Sequence, residues 1–241
     1  MAELTPILRV DPDEVPERVL VMGDPARAEL ASRRLEGRRL LGSFREYVTY
    51  GGTHRGVDVA VASHGVGSPG AVIVFEELSR AGVRRIIRTG TCGGLAVEVE
   101  DGDLVIVTGA IRADGVTDAM VPAPFPALAS VDVVTAIRRA VASTEHRSHE
   151  GVVLTHSLFY PGEVLGGDLE FWHRAGAIAV EMECAALFVN GSLNSVTTGA
   201  VLVADGNPLH REEGGYDPHR QVVYDAVEAM IDIGLAALID G

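Results

Sequence analysis

Between residues 18 and 239, short apolar runs with strand character alternate with segments of helical periodicity. No other feature of the chain constrains its fold as much. Arg18 to Met22 reads as a buried strand, and Gly23-Asp24-Pro25 opens a helix to about Leu35. Asp24 suits the N-cap of that helix and Pro25 its first turn. Val48 to Arg55 and Gly56 to Ser63 read as two strands around a turn. A helix follows Pro69, with Val72, Phe75 and Leu78 on its apolar face. Arg84 to Thr89, Asp103 to Thr108, Gly151 to Thr155, Ala177 to Val180 and Val196 to Ala204 are further strands. Val131 to Ala142, Glu181 to Val189 and Pro218 to Ile239 read as helices. Such alternation predicts an α/β sheet covered on both faces, with ligands at the carboxyl ends of its strands.

The 241 residues suffice for one large domain, and 47% hydrophobic content with a mean hydropathy of +0.20 makes a sizeable core easy to bury. All 20 basic residues are arginines, against 34 acids, for a net charge of −14. The absence of lysine excludes Schiff-base and lysine-nucleophile chemistry. An acidic chain is a poor partner for nucleic acid or an anionic membrane. Cys92 and Cys184 lie in apolar or glycine-rich context without metal-ligand spacing, which reads as reduced thiols, a cytoplasmic location and no metal. The segment Met1 to Glu14 lacks the pattern of a signal peptide. Val121 to Pro126 is proline-rich and reads as a stiff surface connection rather than a lid.

Four segments carry the chemistry. In Ile86 to Gly94 an apolar run ends on Arg88, and a glycine-rich turn with Thr91 is expected to follow. A half-buried arginine calls for an anion, and glycines let backbone N–H groups approach it. In Gly23-Asp24-Pro25-Ala26-Arg27 a helix N-terminus favours an anion, while Arg27 opposes the helix dipole unless one is bound; a capped surface helix is the alternative. Arg45-Glu46 in Phe44 to Tyr47 is either an exposed ion pair or a further anion contact. Glu181 and Glu183 sit where an apolar strand meets an apolar helix, as caps or as acceptors for the hydroxyls of a sugar.

These motifs, in this order, resemble the nucleoside phosphorylase family that contains bacterial purine nucleoside phosphorylases and uridine phosphorylases. The resemblance runs from about Pro6 to the terminal helix. It implies one domain over residues 1–241, with a central mixed β-sheet flanked by helices. It further implies reversible phosphorolysis of a nucleoside, with inorganic phosphate as co-substrate and no cofactor. By resemblance, Gly23, Arg27, Arg45, Arg88 and Thr91 bind phosphate. Glu183, Met182 and Glu181 hold the ribose, and Phe159 packs on the base. Cys92 and Gly93 read as a floor for that base. Asp205 matches the acid that protonates a leaving purine, although a turn former before Gly206-Asn207-Pro208 is its alternative reading. Arg220 matches an arginine at the start of the terminal helix, after a slightly longer loop. Asp205, Arg220 and Arg88 are thus the expected catalytic residues. The loop Leu209 to His219 is expected to move during turnover.

Uridine phosphorylases place a glutamine and an arginine after Phe-Tyr-Pro-Gly; here Glu163 and Leu165 stand instead, which favours a purine. Arg45-Glu46-Tyr47 and Glu76-Glu77-Leu78 resemble the uridine branch more, and Val180 to Phe188 is similar to archaeal methylthioadenosine phosphorylases. Ile7 stands where many members have a histidine that reaches the neighbouring subunit's sugar 5′-hydroxyl. His64 reads as a structural histidine near a turn rather than its substitute. The resemblance implies a homo-oligomer, a hexamer as a trimer of dimers or a dimer, with sites completed across the dimer interface. A uridine phosphorylase, a methylthioadenosine phosphorylase, a nucleosidase that uses water, and a non-catalytic nucleoside-binding member are the alternatives.

Overall fold

The computed structural model describes residues 3–160, 164, 166–209 and 217–240. Ten strands form one mixed sheet. In chain order they are β1 (Arg18–Met22), β2 (Glu36–Phe44), β3 (Tyr47–His54), β4 (Val57–Ser63), β5 (Arg85–Gly94), β6 (Leu104–Ala113), β7 (Ala127–Leu128), β8 (Ser148–His156), β9 (Ala179–Glu181) and β10 (Thr197–Ala204). The helices are α1 (Pro25–Ser32), α2 (Ser68–Arg80), α3 (Val116–Met120), α4 (Val131–Ala142), α5 (Leu169–Arg174), α6 (Cys184–Asn194) and α7 (Gln221–Leu238).

Strand pairing closes a ring. β5 pairs with β10, β10 with β6, β6 with β8, β8 with β9, and β9 returns to β5. From β5 an arm runs outward through β1, β4, β3 and the edge strand β2. The β1–β4, β1–β5, β5–β10, β6–β8 and β8–β9 pairs are parallel, so the carboxyl ends of several strands collect at one place.

The period-two alternation sorts the core into two layers. Val19, Val21 and Ile86 pack with Phe75 of α2 and Phe188 of α6. Leu20, Met22 and Ile87 pack with Ala28 of α1, Ile137 of α4 and Met230 of α7. Among the described residues no helix is long and apolar enough to cross a membrane.

Two expectations change. The glycine-rich stretch after Arg88 is not a turn: β5 stays extended to Gly94, paired to β10 as far as Cys92 and then to β9. Ladder pairing first to β10 and then to β9 keeps it extended, and the glycines admit close neighbours instead. A Cβ on Gly90 would lie 2.0 Å from Arg88 Nη1, and one on Gly93 would lie 2.9 Å from Pro208 Cδ. The helix expected from Glu181 starts at Cys184, because Glu181 belongs to β9 and its carboxylate caps the helix from below. The edge strand β2, with exposed arginines and no alternation, gave no strand signal.

One arginine ties much of the proline-rich loop together. The Arg112 guanidinium donates to the carbonyls of Pro122 (2.9 Å), Phe125 (2.7 Å) and Val121 (3.1 Å).

Candidate active site

A cavity of about 380 Å³ opens where β1, β4, β5, β8, β9 and β10 end. Of the residues singled out in the sequence, Gly23, Arg27, Arg88, Thr91, Glu183 and Asp205 line it together. Cys92, Gly93, Phe159, Glu181 and Met182 also line it.

Arg88 is the centre of its charge. The side chain leaves β5, lies along the strand over Gly90, and is only 4% exposed. Its Nη2 donates to Glu183 and lies 3.4 Å from a Glu181 oxygen. Nε and Nη1 are buried and have no partner among the described residues. Burial opposes the charge, but Glu183 and Glu181 outweigh it, so the guanidinium pKa is raised.

The two glutamates do different work. Glu181 accepts from Thr155 Oγ1 (2.5 Å), Glu183 N–H (2.8 Å) and Cys184 N–H (2.9 Å), which ties β8, β9 and the start of α6 together. Burial raises its pKa. Glu183 accepts from Arg88 and from the N–H of Gly67, the N-cap of α2. Burial pushes its pKa up, yet Arg88 wins and holds it below the usual carboxylate range. Met182 is fixed through its carbonyl, which accepts from Ser68 Oγ at 2.9 Å.

The glycines at the β1 and β4 ends set a tight crossing. Gly65, at φ +72°, donates its N–H to Gly23 O at 3.1 Å. A Cβ on Gly23 would meet Gly65 O at 3.0 Å. Arg27, in the first turn of α1, has a local partner in Asp24 (3.5 Å), which also caps Ala26 N–H at 2.8 Å. That carboxylate offsets part of the conflict between Arg27 and the helix dipole.

At another wall, Asp205 is 6% exposed, and its N–H donates to Cys92 O at 3.0 Å. Burial, then the nearby Asp205, pushes the Cys92 thiol pKa well up. Phe159 is half-exposed and packs edge-to-face on Tyr160, 4.9 Å between centroids.

Two of the expected site residues stand apart. Arg45 sits in the β2–β3 turn at φ +55°, exposed, with its guanidinium over the Phe44 ring, and does not line the cavity of its own chain. Arg220, the N-cap of α7, pairs with Asp101 and donates through Nε to Asp217 O at 3.2 Å. This ion pair holds it off the cavity. Ile7 offers only backbone, its N–H bonding Glu77 at 2.9 Å while the side chain joins the core. His64 is fully buried, with Nδ1 2.8 Å from Gly65 O and its edge on Phe75; burial lowers its pKa to about 4. Glu163, Leu165 and the loop residues 210–216 lie outside the described residues.

Sequence reasoning missed Gly65, Val66, Val180 and Pro208, and also His156 and Asp168, all on the cavity wall. Gly65 and Val66 lie between the end of a strand and the start of a helix, the signal already used at Gly23. His156 and Asp168 carried no motif.

The model of the phosphorylase superfamily matches residues 17–240. The chain is 36% identical over 218 residues to the purine nucleoside phosphorylase of Plasmodium vivax, covering 90% of this chain and 88% of that one. It is also 36% identical over 223 residues to the uridine phosphorylase of Treponema pallidum, covering 89% and 86%. The crystal structure of the purine nucleoside phosphorylase from Toxoplasma gondii in complex with immucillin-H superposes with a TM-score of 0.94 at 30% identity, covering 99% of this chain and 96% of that one. A ring-closed mixed sheet with arginine, glutamate and aspartate gathered at its strand ends, matched over nearly its whole length by these proteins, makes this chain a member of the phosphorylase superfamily.

Proposed function

We propose that the chain catalyses phosphorolysis of a purine nucleoside, giving free base and a pentose 1-phosphate, with phosphate as co-substrate and no cofactor. One observation carries this reading: Arg88 is buried on the cavity wall with Nε and Nη1 unpartnered among the described residues, beside a carboxylate that already neutralises its third nitrogen. Its free Nε–H and Nη1 N–H groups are charged donors left for the oxygens of an anion such as phosphate. Arg27, Thr91 and the Gly23 backbone complete the anion site. Glu183 accepts from a ribose hydroxyl with its remaining lone pairs, and Met182 packs on the sugar. The held phosphate attacks the anomeric carbon as the glycosidic bond breaks, through an oxocarbenium-like transition state. Asp205 delivers a proton to the departing base, which lies over Cys92 and Gly93 and against Phe159. Glu181, with its oxygens engaged at the start of α6, positions Glu183 rather than the sugar.

We further infer that the working form is a homo-oligomer in which Arg45 serves the neighbouring subunit's phosphate. Its exposed turn, and the neighbouring Glu46 packed against Gly65 beside the 80%-exposed Val66, support this reading.

The test is base release from inosine, guanosine, adenosine, methylthioadenosine and uridine, with and without phosphate. Release that requires phosphate and is fastest for a purine is expected. Phosphate-independent release would overturn phosphorolysis. Faster turnover of uridine than of any purine would overturn the base assignment, and the likeness of Arg45-Glu46-Tyr47 to the uridine branch makes that the second reading.

A further inference from the structure

Beside Leu158 and Phe159, an imidazole and a carboxylate face each other across the cavity wall. His156, the last residue of β8, has Nε2 3.4 Å from Asp168 Oδ1. Its Nδ1 lies 3.1 Å from the Leu158 N–H and 3.0 Å from Leu158 O. A carboxylate opposite Nε2 favours the ring proton there, which leaves Nδ1 to accept the Leu158 N–H. Trp172 Nε1 donates to Asp168 Oδ2 at 2.7 Å, which fixes the carboxylate's orientation. The pair is therefore one oriented N–H donor next to one oriented acceptor. The 3.4 Å separation is long for a hydrogen bond, so neither partner is saturated by the other. Asp168 is half-exposed, and a carboxylate has about four lone-pair sites, so acceptor capacity remains toward the cavity. The neighbouring wall (Leu158, Phe159, Leu169, Val180) is apolar, and in such a pocket a few polar groups fix which ligand binds and how.

We propose that His156 and Asp168 select the base. Asp168 accepts from the ring N–H and amino group of a 2-amino-6-oxopurine, and His156 Nε2–H donates to its carbonyl oxygen. In the same orientation a 6-aminopurine sets an N–H against the imidazole N–H and a ring lone pair against the carboxylate. Both contacts are then repulsive, which is how a polar site rejects a near-isostere. This inference rests on the base lying against Phe159, as in the function proposed above.

The experiment measures kcat/KM for guanosine, inosine and adenosine at saturating phosphate. It also measures Kd of free guanine, hypoxanthine and adenine by calorimetry, in the wild type, Asp168→Asn and His156→Ala. The wild type should favour guanosine over adenosine. Asp168→Asn, which keeps shape and an acceptor for Trp172, should cut that ratio at least roughly tenfold, and the Kd ratio of guanine to adenine likewise. The KM for phosphate should not move. The proposal fails if all three substrates lose activity together, as they would from a merely structural clasp between residues 157–160 and α5. It fails too if the ratio is unchanged or the wild type prefers adenosine. A wild type that binds guanine selectively but releases no base with phosphate would overturn phosphorolysis and leave the selecting pair standing.

Discussion

Arg88 of β5 and Glu183, the N-cap of α6, form a buried ion pair that joins the centre of the sheet to two helices, since Glu183 also takes the N–H of Gly67 at the start of α2. Its charges are unequally satisfied: among the described residues Glu183 has both carboxylate oxygens met by donors, from Arg88 and Gly67, while Arg88 keeps two nitrogens unpartnered. A pair built this way holds a cation ready for an anionic ligand rather than cancelling it. Replacing Arg88 with Met should lower kcat/KM by roughly 100-fold or more, by loss of charge stabilisation at the phosphate. It should also cost about 3–5 kcal/mol of stability, because Glu183 is left buried without its partner. Urea unfolding alongside steady-state kinetics measures both.

Gly90→Ala tests the same guanidinium without touching its charge. The added methyl would stand 2.0 Å from Nη1, so Arg88 must move. The expected result is a rise of about tenfold or more in the KM for phosphate, since a displaced clamp misplaces the nucleophile. Circular dichroism should still show the wild-type fold. An unchanged KM would mean that Arg88 tolerates displacement.

Asp205→Asn should slow phosphorolysis of inosine by roughly 100-fold or more, as expected when a general acid is lost. A 7-methylated purine nucleoside, whose base leaves without needing a proton, should retain most of its turnover in the variant. Equal losses on both substrates would remove Asp205 from the proton-donor role.

His64 links stability to pH. Its pKa is lowered from the ordinary 6.5 to about 4 in the fold, because the ring is buried beside Phe75. A depressed histidine takes up its proton first in the unfolded chain, so stability is lost as pH falls from about 6.5 toward 4. The full effect is roughly 3 kcal/mol. His64→Leu should flatten this slope in urea midpoints measured across that window. Glu183 acts lower down: its depressed pKa gives stability present above the ordinary carboxylate range and lost as pH falls through the folded value.

The sequence by itself determined the alternating strands and helices, the Asp24 cap and the anion-seeking character of Arg88. These follow from local spacing, since side-chain period and capping chemistry act over a few residues. The tertiary structure alone decided what the sheet order brings together. Gly90 to Gly94 looks like a turn locally, yet pairing with β10 and β9, whose sequences lie about a hundred residues away, keeps it extended. Glu181 and Glu183 read as equivalents, and only the meeting of β8, β9 and β5 makes one a cap and the other the partner of Arg88. Arg45 and Arg220 match motifs, but a turn and an ion pair with Asp101 hold them off the cavity of their own chain. His156 and Asp168 carry no local signal at all; they meet because β8 ends where α5 begins its return to the sheet. Contacts of this kind depend on how distant segments pair, and a short stretch of sequence holds no record of its distant partner.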